Sequence, residues 1–230
     1  GTGTNGQSLS DGLVVDLSGM QGVEVDPDRR TARAQGGATW GIFNDATAAH
    51  GLATTGGIVS TTGVGGLTLG GGIGYLARGV GLSCDNLVSA EVVTADGRTV
   101  MASESENEDL FWALRGGGGN FGVATAFEYR LHPVGPLVTG GLALYPVARA
   151  AAALRFQREV MATAPDETRI TVRPNFRSSM ICSAMLWKRP SPGLSPCVIA
   201  REPILTTMRL ACSSALRGDA LSVSVMRCRA

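Results

Sequence analysis

The chain has 230 residues, 44% of them apolar and 17% charged, and a formal net charge of +1, enough for one large domain or two small ones with buried cores. So small a charge excludes a general nucleic-acid binder, which needs a basic face, and no apolar run reaches the length of a membrane span. The opening GTGTNGQSLS lacks the basic-then-apolar order of an export signal, so a soluble, cytoplasmic protein without a membrane partner is expected.

In chain order the first 172 residues read as α+β. GLVVDLS (12–18) is predicted as a strand. VEVDPDRRTARAQ (23–35) is predicted as a hairpin folded over Asp26-Pro27-Asp28. Thr39 is a candidate N-cap for a helix over 40–49, with Trp40, Phe43 and Ala46/Thr47 on one face and Gly51 as its stop. A glycine-rich run, 56–75, follows as a packed loop beside a groove. Segments 86–95 and 98–102 form a second hairpin around Asp96-Gly97. A short helix over 106–115 turns Leu110, Phe111 and Leu114 inward and stops at four glycines. The stretch 121–131 alternates as a strand with Phe121, Val123, Thr125, Phe127 and Tyr129 on one face. A strand over 140–145 and an Ala-rich amphipathic helix over 147–162 complete the series.

Two stretches carry the chemistry. GGIVSTTGVGGLTLGGGIGY (56–75) mixes glycine with small hydroxylated residues, so that main-chain N–H groups can converge on an anion and a flat ring can lie on the backbone. It is not a Walker loop, because the only lysine, Lys188, is over a hundred residues away. It also lacks a GxGxxG between strand and helix, so the dinucleotide fold of dehydrogenases is not indicated. The plain alternative is a flexible linker, against which Leu67, Leu69, Ile73 and Tyr75 suit packed structure. The second stretch, DLFWALRGGGGNFGV (109–123), runs a short helix into four glycines and a strand. A simple turn and a ligand contact explain it equally well.

In order, spacing and identity the two stretches together resemble the berberine bridge enzyme-like group of FAD-linked oxidases, in the vanillyl-alcohol-oxidase superfamily, over about residues 6–172. The resemblance implies a partial PCMH-type FAD-binding domain, with residues from about 135 to 172 beginning a substrate domain. It implies FAD contacts at Thr61, Thr62, Gly63, Gly65, Gly66, Gly71, Gly72, Gly74 and Tyr75, and an adenosine end bordered by Asn120, Gly122 and Val123. The histidine and cysteine through which family members attach flavin covalently are replaced by Thr2 and Val59, so noncovalent FAD is expected. His50, His132 and Cys84 fit neither role. The family's catalytic base lies beyond the resemblance, so the catalytic residues are unknown.

Composition changes near residue 173. Residues 1–172 hold 11 basic and 17 acidic side chains, net −6, whereas 173–230 hold 9 and 2, net +7. The later segment has four of the five cysteines, spaced 15, 15 and 16 apart, and no histidine, which does not suit a metal site. No metal is expected. Its prolines interrupt helix and strand alike. Two readings stand: a separate basic domain, or an out-of-frame tail of low order, which is preferred here.

The function implied by the resemblance is an FAD-binding oxidoreductase acting on a small-molecule alcohol, sugar or alkaloid substrate with O2 as acceptor. The alternatives are a catalytically inactive flavin-binding fragment or pseudogene product, and a binding module unrelated to flavin.

Overall fold

The computed structural model describes residues 14–135, 137–175, 179–186 and 222–229. These fall in two compact units, 1–136 and 137–230.

The first unit is built on an antiparallel five-stranded sheet of order β1-β2-β6-β4-β5. Strands β1 (Val23–Asp26) and β2 (Thr31–Gln35) form the first expected hairpin, with Arg30 at φ 53° in its turn. Strands β4 (Leu87–Val93) and β5 (Thr99–Ser103) form the second. Its connection is a five-residue loop rather than a two-residue turn, with Gly97 taking φ 79°. Strand β6 (Val123–Arg130) joins the hairpins by pairing with β2 and β4. A two-residue pair, β3 (Leu52–Ala53) with β7 (His132–Pro133), lies outside the sheet.

Helix α1 (Trp40–Ala48) buries Trp40, Phe43 and Thr47, the face its 3.6-residue period predicts. Its rings pack edge-on: Trp40 to Phe43 at 5.2 Å and Phe43 to Tyr129 at 5.3 Å between centroids. Helix α4 (Glu108–Leu114) turns Phe111 and Leu114 into the same core, and both are fully covered.

Three expectations are corrected. Residues 14–17 form no strand: Val14 and Val15 are exposed and have no ladder partner among the described residues. The run 56–75 is not all loop: it contains one short helix, α2 (Val64–Leu69), and a second, α3 (Ala77–Val80), follows just beyond it. Strand β6 does not keep one alternation. Glu91 pairs with Ala126 and Val92 with Ala124, so Thr125 is an extra residue. That bulge shifts the phase, and the core face becomes Ala124, Phe127 and Tyr129, leaving Phe121 exposed.

The second unit is a four-stranded antiparallel sheet of order β11-β8-β10-β9. It contains β8 (Leu137–Pro146), β9 (Thr168–Asn175), β10 (Ser179–Leu186) and β11 (Ser222–Arg229). Helix α5 (Ala150–Thr163) follows β8 and buries Ala153 and Phe156. Its Gln157 side-chain amide donates to the Ile170 carbonyl at 2.9 Å. Strands β10 and β11 flank β8, where the sequence reading expected no persistent strand beyond residue 173. Residues 187–221, with the expected low order there, lie outside the described residues.

Candidate functional site

The first limb of the glycine-rich run leaves β3 through the buried Thr54 and Thr55 and crosses the start of α1. The α1 end holds it: Trp40 N donates to Thr62 O at 2.9 Å, Gly41 N to Ser60 O at 2.8 Å, and Val64 N to Ala38 O at 2.9 Å. Gly56 lies on the Trp40 ring, where a Cβ would fall 2.4 Å from a ring carbon.

Helix α2 is short and carries two glycines, so its own propensity is poor. Tertiary contacts hold it. Burial pushes the Tyr129 hydroxyl well above its ordinary pKa, so it stays protonated. It is 2.6 Å from Thr68 Oγ1, which in turn donates to Val64 O at 2.8 Å. Gly65 is buried against Phe127, whose ring would meet a Cβ at 3.1 Å.

After α2 the main chain turns through Gly71 and Gly72 at φ 103° and 83°, a region side chains disfavour. Gly74 then returns against the first limb: a Cβ there would lie 2.0 Å from Gly56 O. The limbs 55–56 and 72–74 therefore meet main chain to main chain, and in the corner they form, the cradle, a Cβ at Gly71 would have no described atom nearer than 4.0 Å. Ile58, Val59, Ile73 and Tyr75 all stand in solvent on these limbs. Two buried polar atoms beside the first limb, Trp40 Nε1 and Thr54 Oγ1, have no hydrogen-bond partner among the described residues.

The second glycine stretch meets the first. Gly118 N donates to Leu69 O at 2.8 Å, and Arg115 Nε donates to Cys84 O at 3.0 Å. Asn120 is exposed and donates to Gly117 O at 3.0 Å. Gly122, at φ 146°, would place a Cβ 2.5 Å from Val93 O, and Val123 pairs with Val93. Those two are set against β4. Beside them Trp112, Ala113, Arg115, Gly116, Gly117 and Phe121 line an open concavity of ≈ 430 Å³.

Of the expected contacts, Gly71, Gly72 and Gly74 come together at the cradle. Thr61 is exposed, Thr62 and Gly63 are half-buried between α1 and α2, and Gly66 is exposed on the first turn of α2. Thr2 lies outside the described residues, and Val59 is exposed. Cys84 is buried, and burial, helped by the Asp85 charge, pushes its thiol pKa up, which suits an inert thiol. His50 ends exposed after α1. His132 Nε2 is 2.6 Å from Asn86 Oδ1, while the Asn86 amide donates to Val80 O and Leu82 O. Sequence reasoning missed Thr55, Ser83, Asp85 and Arg115 as supports of the cradle. Among the described residues no His/Cys/Asp/Glu group could hold a metal, and no helix is long and apolar enough to cross a membrane.

Residues 1–103 match the FAD binding domain family. The chain is 52% identical over 133 residues to the FAD-linked oxidoreductase pgmH of Aspergillus terreus, covering 58% of this chain and 27% of that protein. It superposes with a TM-score of 0.75 and 30% identity on the xylooligosaccharide oxidase of Myceliophthora thermophila solved with xylobiose, covering 93% of this chain and 44% of that one. The Physcomitrella patens BBE-like 1 structure gives a TM-score of 0.79 at 21% identity over 93% of this chain and 44% of that one, a likeness of fold. The chain thus spans less than half the length of each of these three.

Proposed function

We propose that the chain serves as an FAD-dependent oxidoreductase of a small alcohol-type substrate, a reading supported by its match to the FAD binding domain over residues 1–103 and by its likeness to FAD-linked oxidoreductases. The observation that carries the reading is the glycine corner, where Gly74 packs on Gly56 main chain to main chain while the place a Cβ would take at Gly71 has no described atom nearer than 4.0 Å. Glycine main chain admits a phosphate or a flat ring to a distance that a Cβ would forbid. The exposed Ile58, Val59, Ile73 and Tyr75 offer apolar area to a ring system.

In this reading Gly71, Gly72 and Gly74, with Thr61, Thr62, Gly63 and Gly66, hold the pyrophosphate side, and Tyr75 flanks the ring. Gly65 serves by letting α2 approach Phe127. Asn120, Gly122 and Val123 border the adenosine end. Bound flavin supplies a two-electron acceptor for substrate oxidation. The residues themselves bind, orient and shield it. Noncovalent attachment fits Val59, whose side chain has no nucleophile.

The substrate class is a sugar or related alcohol, supported by the xylobiose-bound oxidase, and O2 is the acceptor. The test is to add FAD to the purified chain, measure binding by fluorescence, and assay xylobiose oxidation with peroxide detection. Binding with peroxide release supports an oxidase. Binding without turnover assigns a flavin-binding unit, and no binding overturns the reading.

A further inference from the structure

We propose that Ser83 is the positioning residue of the cradle, a buried clamp that holds the Gly71–Gly72 corner against Thr55; this rests on the flavin reading above. Ser83 is fully buried. Its hydroxyl donates to Thr55 O at 2.7 Å and lies 3.2 Å from Gly72 O. A hydroxyl has one proton, and the shorter contact takes it. The Ser83 amide donates to Gly72 O at 2.9 Å, and the Cys84 amide to Gly71 O at 2.9 Å. One residue therefore binds both limbs of the cradle at once. Thr55 answers from its side, donating its hydroxyl to Gly81 O at 2.7 Å.

The clamp is itself braced. Asp85 Oδ2 accepts from Leu82 N at 2.8 Å, and Asp85 Oδ1 is 3.6 Å from an Arg115 guanidinium nitrogen. Arg115 also donates to Cys84 O and stacks over Phe111 at 5.6 Å. The second glycine stretch thus props the first through Arg115. Gly72 has to be glycine here, since a Cβ would fall 2.4 Å from Ser83 Oγ.

With Ser83→Ala, Thr55 O loses its donor in a buried place, and the set arrangement of the limbs becomes less populated by about tenfold to a hundredfold. Where that arrangement becomes the minor one, apparent affinity falls by its remaining fraction. Three variants of the whole chain decide the matter: Ser83→Ala, Asp85→Ala, and Val25→Ala, which weakens the core at the edge strand β1. Each is measured by FAD titration, by thermal midpoint, and by amide exchange at residues 83 and 84 without FAD.

Ser83→Ala is expected to bind FAD about tenfold to a hundredfold more weakly, and Asp85→Ala about two- to tenfold. Both should speed exchange at the two amides. Val25→Ala should lower the midpoint yet leave affinity and that exchange unchanged. Affinity that follows only the midpoint across all three overturns the proposal, as does unchanged binding by Ser83→Ala. If Ser83→Ala does not fold, Asp85→Ala decides by the same readouts. If the unsubstituted chain binds no FAD, the flavin reading fails separately, and unchanged exchange in Ser83→Ala then overturns the clamp.

Discussion

Replacing Gly74 by alanine puts the cradle under direct test. The new Cβ would sit 2.0 Å from Gly56 O, 3.1 Å from Gly56 C and 3.0 Å from Thr55 Cγ2. Ordinary contact begins near 3.4 Å, so one limb must give way by more than an ångström. The neighbour is main chain and cannot rotate aside. Overpacking of this kind costs about 1–3 kcal/mol, and a backbone obstacle places it at the upper end. For a chain of this length each kcal/mol moves the thermal midpoint by about 2–4 °C, giving a fall of about 6–12 °C. Gly119→Ala is the contrast, because its Cβ meets nothing within 4 Å, and it should stay within about 0.5 kcal/mol of the original. Both are followed by tryptophan fluorescence on heating, then by FAD titration. An unshifted midpoint and affinity for Gly74→Ala would refute the close approach of the two limbs.

Three further outcomes follow. Tyr129→Phe removes the buried hydroxyl that meets Thr68, and urea unfolding should show a loss of about 1–2 kcal/mol; an equal midpoint would sink the α2 anchor. Burial, with Arg130 second, holds the His132 pKa below the usual 6.5. The unfolded chain therefore binds the proton more readily, and stability present above pH 6.5 is lost as pH falls through the lower folded value. His132→Gln should flatten that slope, and an unchanged profile would discount it. Finally, flavin bound by the chain should stay in the supernatant after acid precipitation, because Thr2 and Val59 offer no covalent attachment; fluorescence remaining in the pellet would contradict this.

Local pattern made much of the first unit legible. Trp40, Phe43 and Thr47 recur at helical spacing, and both hairpins carry their turn residues in sequence. What escaped was set by distant partners. Helix α2 exists because Tyr129 and Phe127 meet it from β6, against the propensity of Gly65 and Gly66. The bulge at Thr125 has no local signature; its hydroxyl reaches Glu91 Oε1 at 2.6 Å, 34 residues away. Ser83 is the same case at the site. GLSCDNL names no function locally, since its hydroxyl contacts lie 28 and 11 residues earlier. The glycines advertised the cradle, while the side chains that set it were silent.

The strand pairing also changes what removal of the basic segment should do. If that segment were an out-of-frame tail of low order, truncation after residue 172 would be harmless. Yet β8 pairs only with β10 and β11 among the described strands, and β9 reaches the sheet only through β10. A cut at 172 therefore removes every described strand partner of β8 and leaves its ladder groups unpaired. A cut after residue 136 severs no strand pair, because the five-stranded sheet and the β3–β7 pair are complete before it. The 1–136 chain should unfold cooperatively, whereas 1–172 should expose β8 and aggregate, as read by light scattering and amide exchange. A soluble 1–172 chain as stable as the full chain would refute the contribution of β10 and β11 and return the segment beyond 172 to a tail.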